Sequence, residues 1–435
     1  MTVGVVLADS SIVTLALPEI LLRFDASVFG VSWVLTAFNL VLALAVLPAA
    51  RLARRKAPLM WAGGLVAFAA ASLACALAPS IGVLIVARVA QALGGAAVVA
   101  GAIELLAGLR GSHRAAAGLW GAAGLAGLAL GPAAGGLLTE LLSWESIFAV
   151  QVPIVLAAVA APRAGVEPAE PGLAGRLDLA PEVALALVSA GLTGALFLLV
   201  VMLTEGWLLT PLEAGLVVSA MPLATLAARP LAARAPDGRA KQAAGAILLA
   251  GGLAALGLLP QAGSAWTIAP QALVGAGLSL AIPGLTDRAL AGRDPGGHRA
   301  AGTIAARHLG VVAGIVALTP VFSADLDEQY EAVTLSGTAL LLDAPLSPQS
   351  KLEIGEAVAE QVEIADGRLP DVRDAFATVD AEAGSEGDQE ALEGDLVDEV
   401  EKAATHAFSL SFLLAGGFAA AALVPIALGS GRRRA

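Results

Sequence analysis

Apolar runs of about 20 residues, the length a helix needs to cross hydrocarbon, recur along this chain, parted by short loops that hold most of the charge. Nothing constrains the fold more, because a backbone in lipid must satisfy its N–H and C=O groups within the segment or a closed barrel. The runs fall at 3–22, 28–50, 57–77, 80–108, 113–141, 146–162, 182–204, 208–228, 242–261, 264–286, 300–322 and 406–429. They predict an all-α polytopic membrane protein with twelve transmembrane helices. A β-barrel would need segments of roughly ten residues alternating apolar and polar side chains, and no such alternation occurs. Hydrophobic residues make up 57% of the chain and charged ones 14%, against roughly 45–50% and 25% in soluble domains. The first run lacks a basic leader and leads straight into further spans, so no cleavable signal is expected. Cys75, the single cysteine, lies inside the third run and reads as a small core residue.

Lysine and arginine set the orientation. With the N-terminus inside, 18 of the 25 basic residues fall in inner loops and the C-terminal tail, among them Arg51, Arg54, Arg55, Arg234, Arg239 and Arg432. Five fall outside, at Arg23, Lys351, Arg368, Arg373 and Lys402, and two, Arg88 and Arg307, lie within spans. By the positive-inside rule both termini are cytoplasmic, in a multi-pass protein of the cell (plasma) membrane.

The net charge of −12 comes from one segment. Residues 323–404 hold 22 acidic and 4 basic side chains, and they read as an outer, acidic insert with helices near 351–358 and 391–404. Two readings stay open for it: a solvated cap, or a module for an extracytoplasmic partner. The chain thus divides into a six-helix bundle at 1–162, a cytoplasmic linker at 163–181, helices 7–11 of a second bundle at 182–322, the insert at 323–405, helix 12 at 406–429 and a basic tail at 430–435. The stretches Pro48–Lys56 and Pro230–Arg239 occupy matching places in the two halves. Such repetition predicts two pseudo-symmetric bundles around a central site.

Several motifs then coincide in order and placement. The first span carries Asp9-Ser10-Ser11-Ile12-Val13-Thr14-Leu15-Ala16-Leu17-Pro18, the fourth Arg88-Val89-Ala90-Gln91-Ala92-Leu93-Gly94, and the fifth Gly127 followed by Gly131-Pro132-Ala133-Ala134-Gly135-Gly136. Trp144-Glu145-Ser146-Ile147-Phe148 opens the sixth, and Arg307-His308-Leu309-Gly310 lies in the eleventh. In these the chain resembles the major facilitator superfamily, and within it the drug:proton antiporters. The resemblance implies an antiporter motif at Gly127, Gly131, Pro132, Gly135 and Gly136, and export as the direction of transport. It departs in the first inner loop, which lacks the family's glycine and aspartate, whereas the second copy keeps Asp237-Gly238-Arg239.

A carboxylate in hydrocarbon costs about 3 kcal/mol or more, so Asp9 should face the bundle interior, water or a partner. Burial favours the neutral form of a carboxyl group, the property a reversible proton carrier needs. Asp9 is therefore the candidate proton-coupling group, the alternative being an aspartate snorkelling from a helix end. Arg88 is expected either to act with it as a fixed cation or to be held by backbone carbonyls. Glu104, sixteen residues on and so about 24 Å along the helix, is expected to bridge Arg51, Arg54 or Arg55 as an inner gate, with Asp237 and Arg239 as its counterpart. Thr14, Gln91, Arg307 and His308 are candidates for the substrate cavity, although a lone histidine is often only a helix polar group.

No metal-ligand spacing, nucleophile elbow or nucleotide-binding loop is present, so neither an enzyme nor an ATP-driven pump is expected, and no cofactor, metal or nucleic acid is called for. The expected partners are a small-molecule substrate, protons and membrane lipid. The leading expectation is proton-coupled efflux of small amphipathic compounds by alternating access. The alternatives are a lipid or metabolite exporter toward the envelope, and a non-transporting scaffold or sensor acting through the insert. Aromatic residues at 4% of the chain count against broad recognition of organic cations.

Overall fold

A computed structural model describes residues 2–110, 127, 130–159, 179–290, 296–365, 371–379 and 386–429. Among these residues the fold is entirely helical. The first part comprises α1 (Thr2–Thr14), α2 (Leu17–Phe24), α3 (Val28–Ala76), α4 (Ile81–Arg110), α5 (130–141), α6 (Ser146–Ala149) and α7 (Gln151–Val159). There follow α8 (Ala180–Val201) with a π-turn at Met202–Gly206, α9 (Pro211–Val218), α10 (Ala220–Arg234), α11 (Arg239–Gly257), α12 (Ser264–Ala289) and α13 (Gly296–Asp343). The chain closes with α14 (Pro348–Ala365), α15 (Val372–Ala377), α16 (Glu386–Ala407), α17 (Ser409–Ala421) and α18 (Leu423–Leu428).

Among the described residues eight helices are long and apolar enough to cross a membrane, or nine if the bent pair α1 and α2 is one span. This count is lower than the twelve runs read from the sequence because some runs join end to end and others lie partly outside the described residues. The runs at 28–50 and 57–77 are two helices that meet without a loop at Lys56, whose φ of −140° and ψ of 39° are non-helical, and so they count together as Val28–Ala76. At 1.5 Å per residue the 49 residues on the two sides of that kink are enough for two crossings of a hydrocarbon core of about 30 Å. The fifth run lies largely outside the described residues, and Ser146–Val159 is a shorter apolar helix. The linker up to residue 178 and the tail at 430–435 also lie outside them.

The break between α1 and α2, a bend of 58°, has a local cause. Pro18 sits in the first turn of α2, where its missing N–H is harmless, but its ring cannot follow a continuous upstream helix.

Two kinds of glycine-lined helix crossing each occur twice among the described residues. A Cβ on Gly127, Gly131 or Gly135 would strike α1 at Gly4 O, Ser11 Cβ or Ile12 O, within 2.6–2.8 Å. Gly310 and Gly314 of α13 press in the same way on the backbone of α8 at Ala186 and Ala190. Likewise Gly64 and Gly94 join the second half of α3 to α4, as Gly245 and Gly277 join α11 to α12. Small residues let helix backbones approach where lipid offers no hydrophobic drive for association.

The insert departs from its expected boundary. The helix of the eleventh run does not end near 322 but continues to Asp343, 48 residues in all. With α16, which leads into α17, it forms a stalk. On the stalk lies a separate small core of Leu346, Ile354, Val372, Phe376, Leu392, Leu396 and Val400. Arg373 pairs with Glu401 at 2.9 Å, and Trp207 Nε1 donates to Thr405 Oγ1 at 3.0 Å, tying the module to the end of α8.

Candidate functional site

Asp9 and Arg88 meet in the interior of the first half, both with fully buried side chains. Asp9 Oδ2 lies 2.6 Å from Arg88 Nη1, within ion-pair distance, although the angle is too oblique for a hydrogen bond. The Asp9 Oδ1 atom accepts from Gln151 Nε2 at 3.0 Å and from Gln91 Nε2 at 3.4 Å. Arg88 donates through Nη1 to Gln91 Oε1 at 2.5 Å and through Nε to the Val34 carbonyl at 3.1 Å. Its guanidinium carbon lies 4.2 Å from the Phe38 ring centre and 5.6 Å from that of Phe148. Gln91 Nε2 also donates to Ser72 Oγ at 2.8 Å. Five helices thus converge on one charge pair.

This arrangement decides between readings the sequence left open. Asp9 does not snorkel; it is sealed within the bundle. Arg88 has a carboxylate and a backbone carbonyl at once. Gln91, expected in the substrate cavity, does not line it: one helical turn from Arg88, it shares that face of α4 and turns inward with it.

The cavity lies elsewhere, with roughly 900 Å³ of empty space between the halves, partly open to solvent. Ser10, Ser11 and Thr14 of α1 line it together with Asn39, Pro132, Ser189, Thr193, Arg307 and His308. Successive helical residues turn by about 100°, so α1 presents Asp9 to the buried pair while Ser10 and Ser11 face the cavity. A second polar chain crosses between the halves here. His308 Nδ1 lies 2.7 Å from Asn39 Oδ1, and Asn39 Nδ2 donates to the Leu35 carbonyl at 2.8 Å and to Ser10 Oγ at 3.2 Å. Because the Asn39 amide nitrogen is committed to those acceptors, its oxygen faces the imidazole and His308 Nδ1 carries the proton.

Pro132 and Gly136 of α5 meet α9 on the other side of the cavity. A Cβ on Gly136 would strike the Pro211 carbonyl oxygen, and one on Gly215 would lie 2.8 Å from the Pro132 oxygen. Glu140 Oε2 accepts from the Leu212 amide at 2.8 Å, a carboxylate at a helix N-terminus, and Thr210 with Glu213 completes a capping box there.

The expected gate residues are dispersed. Arg51, Arg54 and Arg55 are exposed at one end, while Glu104 is buried at 6% exposure. Among the described residues no ion pair joins Glu104 to any of the three. Asp237 pairs with Lys241 at 2.9 Å across one turn rather than with Arg239, in an exposed contact.

Sequence reasoning passed over Gln151, Ser72, Asn39 and Ser10. The signal was present, since each is a polar side chain inside an apolar run where an unpaired polar group is costly.

Comparison with known proteins agrees with the fold. The crystal structure of a bacterial homologue of the human lysosomal transporter Spinster, inward-facing and unoccupied, has a TM-score of 0.63. It covers 98% of this chain and 95% of its own at 15% identity, which speaks to fold alone. The multidrug resistance protein Stp of Mycobacterium tuberculosis is 39% identical over 150 residues, 34% of this chain and 28% of that protein. The methyl viologen resistance protein SmvA of Salmonella typhimurium is 38% identical over 157 residues, 34% of this chain and 31% of its own. The tetracenomycin C resistance and export protein of Streptomyces glaucescens is 35% identical over 164 residues, 37% and 30% respectively. The chain therefore spans about three tenths of the length of the curated relatives it matches. The family model for the Major Facilitator Superfamily matches residues 1–318, stopping just before the acidic stretch at 323–404. Helices apolar enough to cross a membrane and this match show that the chain is a multi-pass membrane protein belonging to the major facilitator superfamily.

Proposed function

We propose that this chain is a secondary transporter that exports small amphipathic compounds in exchange for protons by alternating access. The observation that carries the reading is the sealed Asp9–Arg88 pair, one residue along α1 from the cavity-lining Ser10. A proton on Asp9 cancels the negative charge and leaves the Arg88 charge without its counter-ion, so the contact holding α1 to α4 weakens. Because α1 bears Asp9 on one face and part of the cavity wall on another, its movement changes what the cavity can hold. The glycine crossing between α5 and α1 and the tight α5–α9 contact supply surfaces on which the halves can rock.

Twelve crossings in two pseudo-symmetric bundles belong to this proposal. Support comes from the length of α3, enough for two spans, and from the paired glycine crossings, α5 on α1 with α13 on α8, and α3 on α4 with α11 on α12. The basic loops support a reading in which both termini are cytoplasmic in a plasma-membrane protein and the acidic module lies outside. We assign that module as a folded cap, its own core being the support. That curated relatives are named for drug resistance and export supports the outward direction.

The test is counterflow in liposomes with and without a pH gradient, wild type against Asp9→Asn. The expected outcome is exchange that responds to the gradient in the wild type and not in the variant. Equal pH dependence in both would remove Asp9 from the coupling step. No exchange of any candidate by either protein would favour the scaffold.

A further inference from the structure

We infer that the cavity selects amphipathic anions, compounds with an apolar body and a single carboxylate, phosphate or sulfonate head. The inference rests on the reading above that this cavity is the substrate path. Arg307 and His308 are the ionisable side chains on its wall, and among the described residues no carboxylate and no Phe, Tyr or Trp lines it. An organic cation would be recognised by a carboxylate or an aromatic face, and among the described residues the wall offers neither. The acid nearest in sequence, Asp9, is turned away and already paired with Arg88.

Arg307 is the group left without a counter-charge. Among the described residues no ion pair, hydrogen bond or ring contact engages its guanidinium. An arginine cannot shed its charge, so within a membrane protein it stays a fixed cation whose fork of donors fits a planar or tetrahedral anion. His308, beside it, spends Nδ1 on Asn39 and still lines the cavity. The rest of the wall is hydroxyls and aliphatic side chains such as Leu192, Leu196 and Val218, which suit an apolar body of no particular shape.

Tetraphenylborate and tetraphenylphosphonium provide the test, being alike in size and apolarity and opposite in charge. Their binding to the purified full-length chain in detergent is measured by calorimetry. The expected result is about tenfold or greater preference for the borate, the scale of one through-space attraction between unit charges in a partly buried site, retained in Arg307→Lys and lost in Arg307→Gln. Equal affinity, or preference for the phosphonium, in the wild type alone overturns the proposal, whatever the variants do. Displacement of the borate then separates the sources. Competition by 2-naphthoate marks a water-borne anion and competition by lysophosphatidate a lipid headgroup; failure of both overturns the assignment. This measurement needs no transport. A borate preference together with pH-dependent exchange by Asp9→Asn would sink the coupling proposal and leave the anion site standing, and the converse pair of results would do the opposite.

Discussion

Replacing Asp9 by asparagine alters one atom and one charge in a cluster closed to water. The side chain keeps Oδ1, so the hydrogen bonds from Gln151 at 3.0 Å and Gln91 at 3.4 Å survive. Where Oδ2 stood 2.6 Å from Arg88 Nη1, an NH2 group now faces another donor, and the guanidinium charge has no counter-ion. Removing one partner of a buried pair costs about 3–5 kcal/mol, whereas replacing both by apolar groups of similar volume is often neutral or stabilising. Arg88→Met should cost about as much, since it strands the carboxylate and also leaves Gln91 Oε1 and the Val34 carbonyl without their donor. The double variant Asp9→Asn/Arg88→Met is therefore expected to unfold at a higher temperature than either single variant. The assay is thermal unfolding of the four purified proteins in one detergent, analysed as a double-mutant cycle. If the double variant loses the sum of the two single losses, the residues are not energetically coupled and the proton-coupling argument built on them fails.

Asn39→Leu removes the acceptor of His308 and the donor to Ser10, and is expected to cost about 1–3 kcal/mol; it should slow exchange while leaving the Asp9–Arg88 coupling intact, and a changed coupling energy would show the two networks to be one. Gly136→Ala puts a Cβ against the Pro211 carbonyl, an overpacking cost of about 1–3 kcal/mol that disfavours the closed α5–α9 contact about 5- to 150-fold. Crosslinking between cysteines at 140 and 212 should fall accordingly, and an unchanged rate would mean that the contact does not open. Phe376→Ala, worth about 3–5 kcal/mol in a core, should melt the acidic module and speed proteolysis near 366–385 without altering exchange. Lost exchange in that variant, or on deletion of 325–402, would make the module part of the transport machinery rather than a cap.

The oily runs and the requirement that lipid-exposed backbone satisfy itself were enough to determine an all-helical membrane protein. They were also enough to single out Asp9, Arg88, Arg307 and His308, because a charged or titratable residue inside such a run is costly wherever it goes. Partners were another matter. Periodicity is a local property, whereas Asp9 meets Gln151 across 142 residues and His308 meets Asn39 across 269. Nor does axial distance along one helix tell which neighbour Glu104 packs against, and among the described residues it is buried while Arg51, Arg54 and Arg55 are exposed. Tertiary packing alone decided that Gln91 turns toward the charge pair, that Arg307 faces the cavity with no counter-charge among the described residues, and that adjacent residues Asp9 and Ser10 serve separate networks. A helix turns its side chains about 100° per residue, and only the surrounding helices determine what each direction meets.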